Sequence, residues 1–214
     1  MVKTCAGDIV KRADLIEACK RINRYVFSQL GIYRFDPYYT FDWYLDQCEN
    51  NGLKATFYVI ADSSEPLNGC YALSDQKIKR LLKQIHTRGH RIGMHGSYQS
   101  YMSPERLVAQ KAMLQQHLAG IGIEEEVRYN RQHYLLWDAS VTADYLQQAG
   151  FEFDSSGTYA DACGFRYGTA KEFSMWGWDS GGPLLLKQRP LIVMETTVLD
   201  ANYLELGTGQ AARD

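Results

Sequence analysis

The sequence predicts an α/β domain built on a parallel sheet, and three observations carry the prediction. Short apolar, β-branched runs begin near residues 54, 91, 127 and 151. Segments of helical periodicity lie between them, which is the alternation of βα units. Glycines follow those segments at Gly52, Gly89, Gly120 and Gly150, where helices need a stop. The spacing suits successive turns of a barrel or an open sheet, and it leaves that choice open. A chain of 214 residues is enough for one such domain, expected over residues 1–214.

Taken in order, Asp8 to Leu30 carries a helical stripe of Leu15, Cys19, Ile22 and Val26. A second helix is expected from Thr40 or Phe41 to Asn50, with Asn51-Gly52 ending it. Asp42 falls in its first turn, where a carboxylate suits the helix dipole. Too few residues separate Thr40 from Ala55 for Asp42 to end a strand of its own. Lys54 to Ile60 reads as a buried strand. In Asp75 to Thr87, Ile78, Leu81, Leu82 and Ile85 make one helical face. Arg91 to Met94 is the next strand, and Ser103-Pro104-Glu105 opens a helix that runs to about Leu118 and stops at Gly120. A strand over Val127 to Asn130, a helix over Ser140 to Ala149 and a strand over Phe151 to Asp154 follow. Gly157 to Pro190 reads as long irregular loops, and Leu191 to Met194 as one more buried strand.

Composition narrows the function. The chain is 45% hydrophobic and 22% charged, as in ordinary globular proteins. A net charge of −2 without a Lys/Arg block argues against nucleic acid and anionic membranes as partners. No run approaches the roughly 20 apolar residues of a membrane span, and Met1 to Asp14 lacks the apolar core of a signal peptide. The five cysteines are scattered without a Cys-x-x-Cys pair, so reduced thiols in a cytoplasm are expected. The 15 tyrosines suit a surface that stacks sugars, although tyrosine is also a common half-buried residue.

The chemistry-bearing residues cluster at expected strand ends, the rim at which β/α proteins bind ligands. His95 follows one strand and leads into Gly96-Ser97-Tyr98; His133 follows another. Two imidazoles at one rim can share a metal ion, and a hydrogen-bonded structural role is the alternative for His95. Arg131 and His133, two apart, are expected to point the same way along an extended segment, with Arg131 able to clamp a carboxylate. Asp154 ends a strand and is either a polar group at the functional rim or a turn aspartate. His90 starts its strand and reads as structural, and His86 and His117 lie on helices.

Lys54-Ala-Thr-Phe-Tyr, Gly-His-Arg-Ile-Gly-Met-His95, the Arg131 strand and Phe153-Asp154-Ser-Ser together resemble the ordered motifs of the polysaccharide deacetylases. Arg131-Gln-His-Tyr-Leu135, Tyr159-Ala-Asp161 and Gly164-Phe-Arg166 resemble a branch associated with surface-polysaccharide biosynthesis. The resemblance runs from about Gly7 to Tyr203. It implies a distorted (β/α) barrel of parallel strands, incomplete at its ends, and a metal-dependent N- or O-deacetylase acting on an amino sugar or polysaccharide, as in O-antigen or capsule synthesis. It implies a divalent ion, zinc in the first place, on His95. Where the family has a second histidine four residues later this chain has Gln99, and His133 is the candidate to fill that place by strand geometry. Arg131 matches the arginine that holds the catalytic carboxylate, and Tyr98, Tyr134, Asp154 and Arg166 are expected at the substrate.

Two departures bear on activity. No Asp-x-Asp precedes Lys54 at the expected spacing, and the family's late histidine strand is not found. At both ends the expected barrel is therefore short. The main alternative is a deacetylase-like domain without catalysis that binds sugar or serves in assembly. A cyclic amidase on a similar barrel is a further one.

Overall fold

A computed structural model describes residues 19–20, 22–23, 25–27, 39–65, 67–69, 71–200 and 202–206. The chain divides into two compact units, Met1–Ala55 and Thr56–Asp214. In the first, the described positions among 19–27 are helical, as expected. Of the expected stripe, Leu15 lies outside the described residues, while Cys19, Ile22 and Val26 are exposed. Helix α1 spans Phe41–Asn50, with Leu45 buried and Asp42 in its first turn.

The second unit is a six-stranded sheet with helices against it. Its strands are β1 (Thr56–Ile60), β2 (Arg91–Gly96), β3 (Tyr129–Gln132), β4 (Phe153–Asp154), β5 (Phe173–Gly177) and β6 (Gly182–Gln188), ordered β1-β2-β3-β4-β6-β5. Every pairing is parallel except that of β5 with β6. The architecture is mixed α/β with a mostly parallel sheet, and among the described residues no pairing joins β5 back to β1. No described helix is long and apolar enough to cross a membrane.

Local chemistry explains the helices. Helix α2 (Gln76–Thr87) starts where the Asp75 carboxylate accepts a hydrogen bond from Lys77 N, and it buries Leu82 and Ile85. Gly89, at φ +79°, closes it, with Gly89 N bonded to His86 O and His90 N to Ile85 O. Helix α3 (Pro104–Ala119) has Pro104 in its first turn and Ser103 Oγ accepting from Arg106 N. Its buried stripe is Leu107, Gln110, Leu114 and Leu118, and it packs on β2. Helix α4 (Thr142–Gln148) packs on β5 and β6, and helix α5 (Glu195–Leu199) follows the sheet.

Three expectations need correction. Strand β3 begins two residues later than expected and runs to Gln132, because Val127 N is bonded to the Gln115 side chain of α3 rather than to a neighbouring strand. The segment expected as loops contains the β5–β6 hairpin, turned at Trp178 to Gly181. In β6, Leu184, Leu186 and Gln188 are buried in alternation with exposed Pro183, Leu185 and Lys187. Leu191 to Met194 is no strand; its main chain makes isolated bonds, Leu191 N to Gly157 O and Gly164 N to Ile192 O.

The parallel register decides which side chains share a face. Met94, Asn130, Asp154 and Gln188 lie side by side across β2, β3, β4 and β6. His95 pairs with Arg131 on the opposite face. Gly96 pairs with Gln132 at the end of β2, and a Cβ there would meet Gln132 Oε1 and lie 2.6 Å from Ser100 Oγ. We expect Gly96→Ala to cost roughly 1–3 kcal/mol of stability, the usual range for overpacking, read as a lower midpoint of urea unfolding.

Candidate functional site

His95 is the penultimate residue of β2. His133 lies not on β3 but in the 3₁₀ turn His133–Leu135 that follows it. There Tyr134 and Leu135 both adopt left-handed backbone, at φ 52° and 55°. Such residues cost of order 1–3 kcal/mol each and persist only where the surroundings hold them. The turn brings His133 Nδ1 to 3.2 Å from His95 Nε2, with the rings edge to face at 79°. His133 Nε2 stands 2.7 Å from the carbonyl oxygen of Leu67. A carbonyl only accepts, so Nε2 of His133 carries a proton.

Burial first, and the neighbouring His133 second, push the His95 pKa down to about 4, while the Arg131 main chain acts in the opposite direction. His95 is therefore neutral near pH 7, the form that binds metals. The pair fits a shared cation. Two nitrogens at about 2.0–2.1 Å from one ion stand roughly 2.9 Å apart at a right angle and roughly 3.3 Å at the tetrahedral angle. The observed 3.2 Å falls between. The proton held on Leu67 O is also the outer contact that orients a ligating imidazole. Among the described residues no group of three or more His, Cys, Asp or Glu side chains could hold an ion, so no third such side chain joins the pair.

The other expected residues divide. Arg131 Nε donates to Ser155 O and Oγ at 3.1 and 3.0 Å, and its guanidinium lies over the Tyr58 ring. No carboxylate forms an ion pair with Arg131 among the described residues. Asp154 does not face a substrate. It is wholly buried, and its carboxylate accepts from Asn130 Nδ2, Ser156 N and Ser156 Oγ at 2.8 Å each. Tyr98 and Tyr134 do meet, edge to face at 5.8 Å, and Tyr134 also lies against His133 at 4.3 Å.

Tyr134 and Arg166 line one cavity of about 650 Å³ together with Trp137, Tyr167 and Tyr203. Arg166 Nη1 donates to Thr158 O at 2.7 Å, and its guanidinium lies 5.7 Å from the centre of the Tyr159 ring. Gln99 and Tyr98 border a second, smaller hollow with Arg106 and Leu136. Sequence reasoning missed the Leu67 carbonyl, which no side-chain pattern can signal. It also missed Trp137, although its place in the loop after a strand end was a usable clue.

A model of the polysaccharide deacetylase family matches residues 35–153, more than half of the chain. No curated protein and no solved structure gives a match. The matched span opens on Phe35-Asp36, a carboxylate that sequence reasoning passed over and that lies outside the described residues.

Asp154 yields a pH prediction. Burial raises its carboxyl pKa above the ordinary 3.8, against the pull of the hydrogen bonds from Ser156 and Asn130 and the charge of Arg131. The folded state thus keeps a proton that the unfolded chain loses. Its contribution to stability is full below the unfolded value and declines as pH rises towards the folded one. In urea melts, the stability difference between wild type and Asp154→Asn should shift in favour of the variant as pH rises from about 4. A difference independent of pH would mean that this carboxyl titrates normally.

Proposed function

Since the chain belongs to the polysaccharide deacetylase family, we propose that it removes an N-acetyl or O-acetyl group from an amino sugar or polysaccharide, with His95 and His133 holding a divalent ion. The observation that carries this reading is the 3.2 Å approach of His95 Nε2 to His133 Nδ1, with the second nitrogen of His133 tied to Leu67 O. Two imidazoles suit zinc among the common ions, with nickel and iron as the competing choices. When bound, the ion would polarise the acetyl carbonyl and make water a nucleophile at neutral pH.

The chain's own residues do the rest. Neutral His95 keeps a lone pair available across the physiological range. Tyr98 and Tyr134, edge to face beside His133, would line the approach of the sugar. Arg131, fixed on Ser155 and Tyr58, would position the carboxylate that takes the proton of the attacking water, the role its family match implies. Surface-polysaccharide biosynthesis in the cytoplasm is the context we propose for this activity. The parallel strands would form part of the family's distorted barrel.

The test is metal content and acetate release. Purified protein should bind one zinc ion per chain and liberate acetate from acetylated amino-sugar polymers. His95→Ala and His133→Ala should each reduce zinc affinity by more than about 100-fold, beyond the usual effect of losing an outer-shell contact. Unaltered zinc binding in both variants would remove the metal assignment. Saccharide binding without any acetate release would select the non-catalytic, sugar-binding alternative.

A further inference from the structure

The paired register of β2 and β3 ends at Gly96 and Gln132. His133 lies just beyond it, in the turn with left-handed Tyr134 and Leu135, so the sheet alone does not fix its distance from His95. The loop between β1 and α2 supplies the missing tie. Leu67 O accepts from His133 Nε2 at 2.7 Å, and the next residue, Asn68, accepts from Tyr98 N through Oδ1 at 2.9 Å. Tyr98 stands three residues after His95. These bonds close a ring that runs from His95 along the chain to Tyr98, across to Asn68, back to Leu67 and across to His133. It ends where His133 Nδ1 faces His95 Nε2 at 3.2 Å.

Asn68 holds its place against ordinary packing preference. It is wholly buried, whereas the adjacent Leu67 is 49% exposed, the reverse of what apolar burial selects. Its Nδ2 has no hydrogen-bond partner among the described residues, a condition that buried polar groups rarely keep. Turning the amide over would set Nδ2 against Tyr98 N, donor against donor, so the Oδ1 contact fixes its orientation. The loop is secured on both sides of this residue. Asn68 N donates to Glu65 O, Glu65 pairs with Arg106 of α3, and Tyr71 Oη accepts from Ile60 N at the end of β1.

We propose that Asn68 is a positioning residue for the histidine pair. Its side chain fixes the loop that follows His95, and its place in the chain presents the Leu67 carbonyl that keeps a proton on His133 Nε2. Nδ1 is then the nitrogen turned to His95. The proposal rests on the reading of the pair as ligands of a divalent ion. Asn68 acts on the pair through Tyr98 and Leu67, as the outer contacts of a metal site orient its imidazoles.

Heteronuclear NMR of the histidine rings in the metal-free full chain, with a zinc titration beside it, tests this at neutral pH. Wild type should show His133 as a single tautomer protonated at Nε2. Asn68→Leu has the same branching without an acceptor. It should mix the two tautomers and lower zinc affinity about tenfold, the mild end of losing an orienting contact. Asn68→Asp keeps an acceptor in the Oδ1 place and should restore the single tautomer, even where its unfolding midpoint stays low. A merely structural Asn68 would move the midpoint and leave the tautomer alone. Should Asn68→Leu fail to fold, Asn68→Ser takes its place, because its hydroxyl is too short to reach Tyr98 N. An acceptor-free variant that keeps either the single tautomer or wild-type zinc affinity overturns the proposal. A wild type that binds no zinc, yet mixes its tautomers in Asn68→Leu, upholds the clamp and overturns the metal reading instead.

Discussion

The register of the parallel strands rests on one buried carboxylate. Asp154 sits on the two-residue strand β4, flanked in the sheet by Asn130 of β3 and Gln188 of β6. All three are wholly excluded from solvent. The Asp154 side chain accepts from Asn130 Nδ2 and from both donors of Ser156, and its main-chain oxygen accepts from Arg189 N and Gln188 Nε2. A strand of two residues has few ladder bonds with which to set its own position. The cross-strand polar bonds set it instead. An unsatisfied buried polar group costs about 1–3 kcal/mol, and more if charged, so a slip of one residue would orphan several groups at once and turn the strand over.

That register in turn decides what reaches the opposite face. With Met94, Asn130 and Asp154 on one side, His95, Arg131 and Ser155 must lie on the other. Arg131 is drawn to Ser155 and to the Tyr58 ring, whose hydroxyl also meets Ser155 Oγ at 2.8 Å. This lattice occupies the space beside His95 on β3 and β4. The second imidazole therefore arrives from the turn beyond β3, and the two left-handed residues after it are the backbone cost of that return. The bond from His133 Nε2 to Leu67 O and the contacts of the Tyr134 ring with His133 and Tyr98 offset it.

Much of the fold was legible because its signals are local. Asp75, Ser103 and Pro104 open helices where the cap preference places them, and Gly89 closes one through a conformation that other residues avoid. His95 and its loop were legible for the same reason. What failed was non-local. Val127 belongs to an apolar run, yet its N–H goes to the Gln115 side chain of the preceding helix and not to a neighbouring strand. Leu191 to Met194 looks like a strand but has no neighbour in the sheet to pair with. The β5–β6 hairpin carries Trp176 and Leu185 on its exposed face, which hides the alternation from a count of apolar residues. Asp154 looks like a rim carboxylate in one dimension; only the residues across from it reveal a buried one. The approach of His95 to His133 was anticipated from two separate strand ends meeting at one rim; the backbone of the turn that carries His133 was not.

The site divides along the same boundary as the family match. The histidine pair, Arg131 and the Tyr98–Tyr134 contact all fall within residues 35–153, whereas most of the cavity wall comes from the chain after it. The two parts answer different demands. A nitrogen pair must hold its separation within a few tenths of an ångström to share one ion, and here it is carried by a strand end and a constrained turn. A cavity wall of aromatic surface and spare donors can be supplied by loops without a fixed register. Interactions remote from the reacting bond can accelerate it only if the substrate is held rigidly between the two parts. Among the described residues, the Tyr134 side chain both meets His133 and borders the cavity. Its strained backbone fits that demand, because a turn free to relax would let the ring move and uncouple the wall from the histidines.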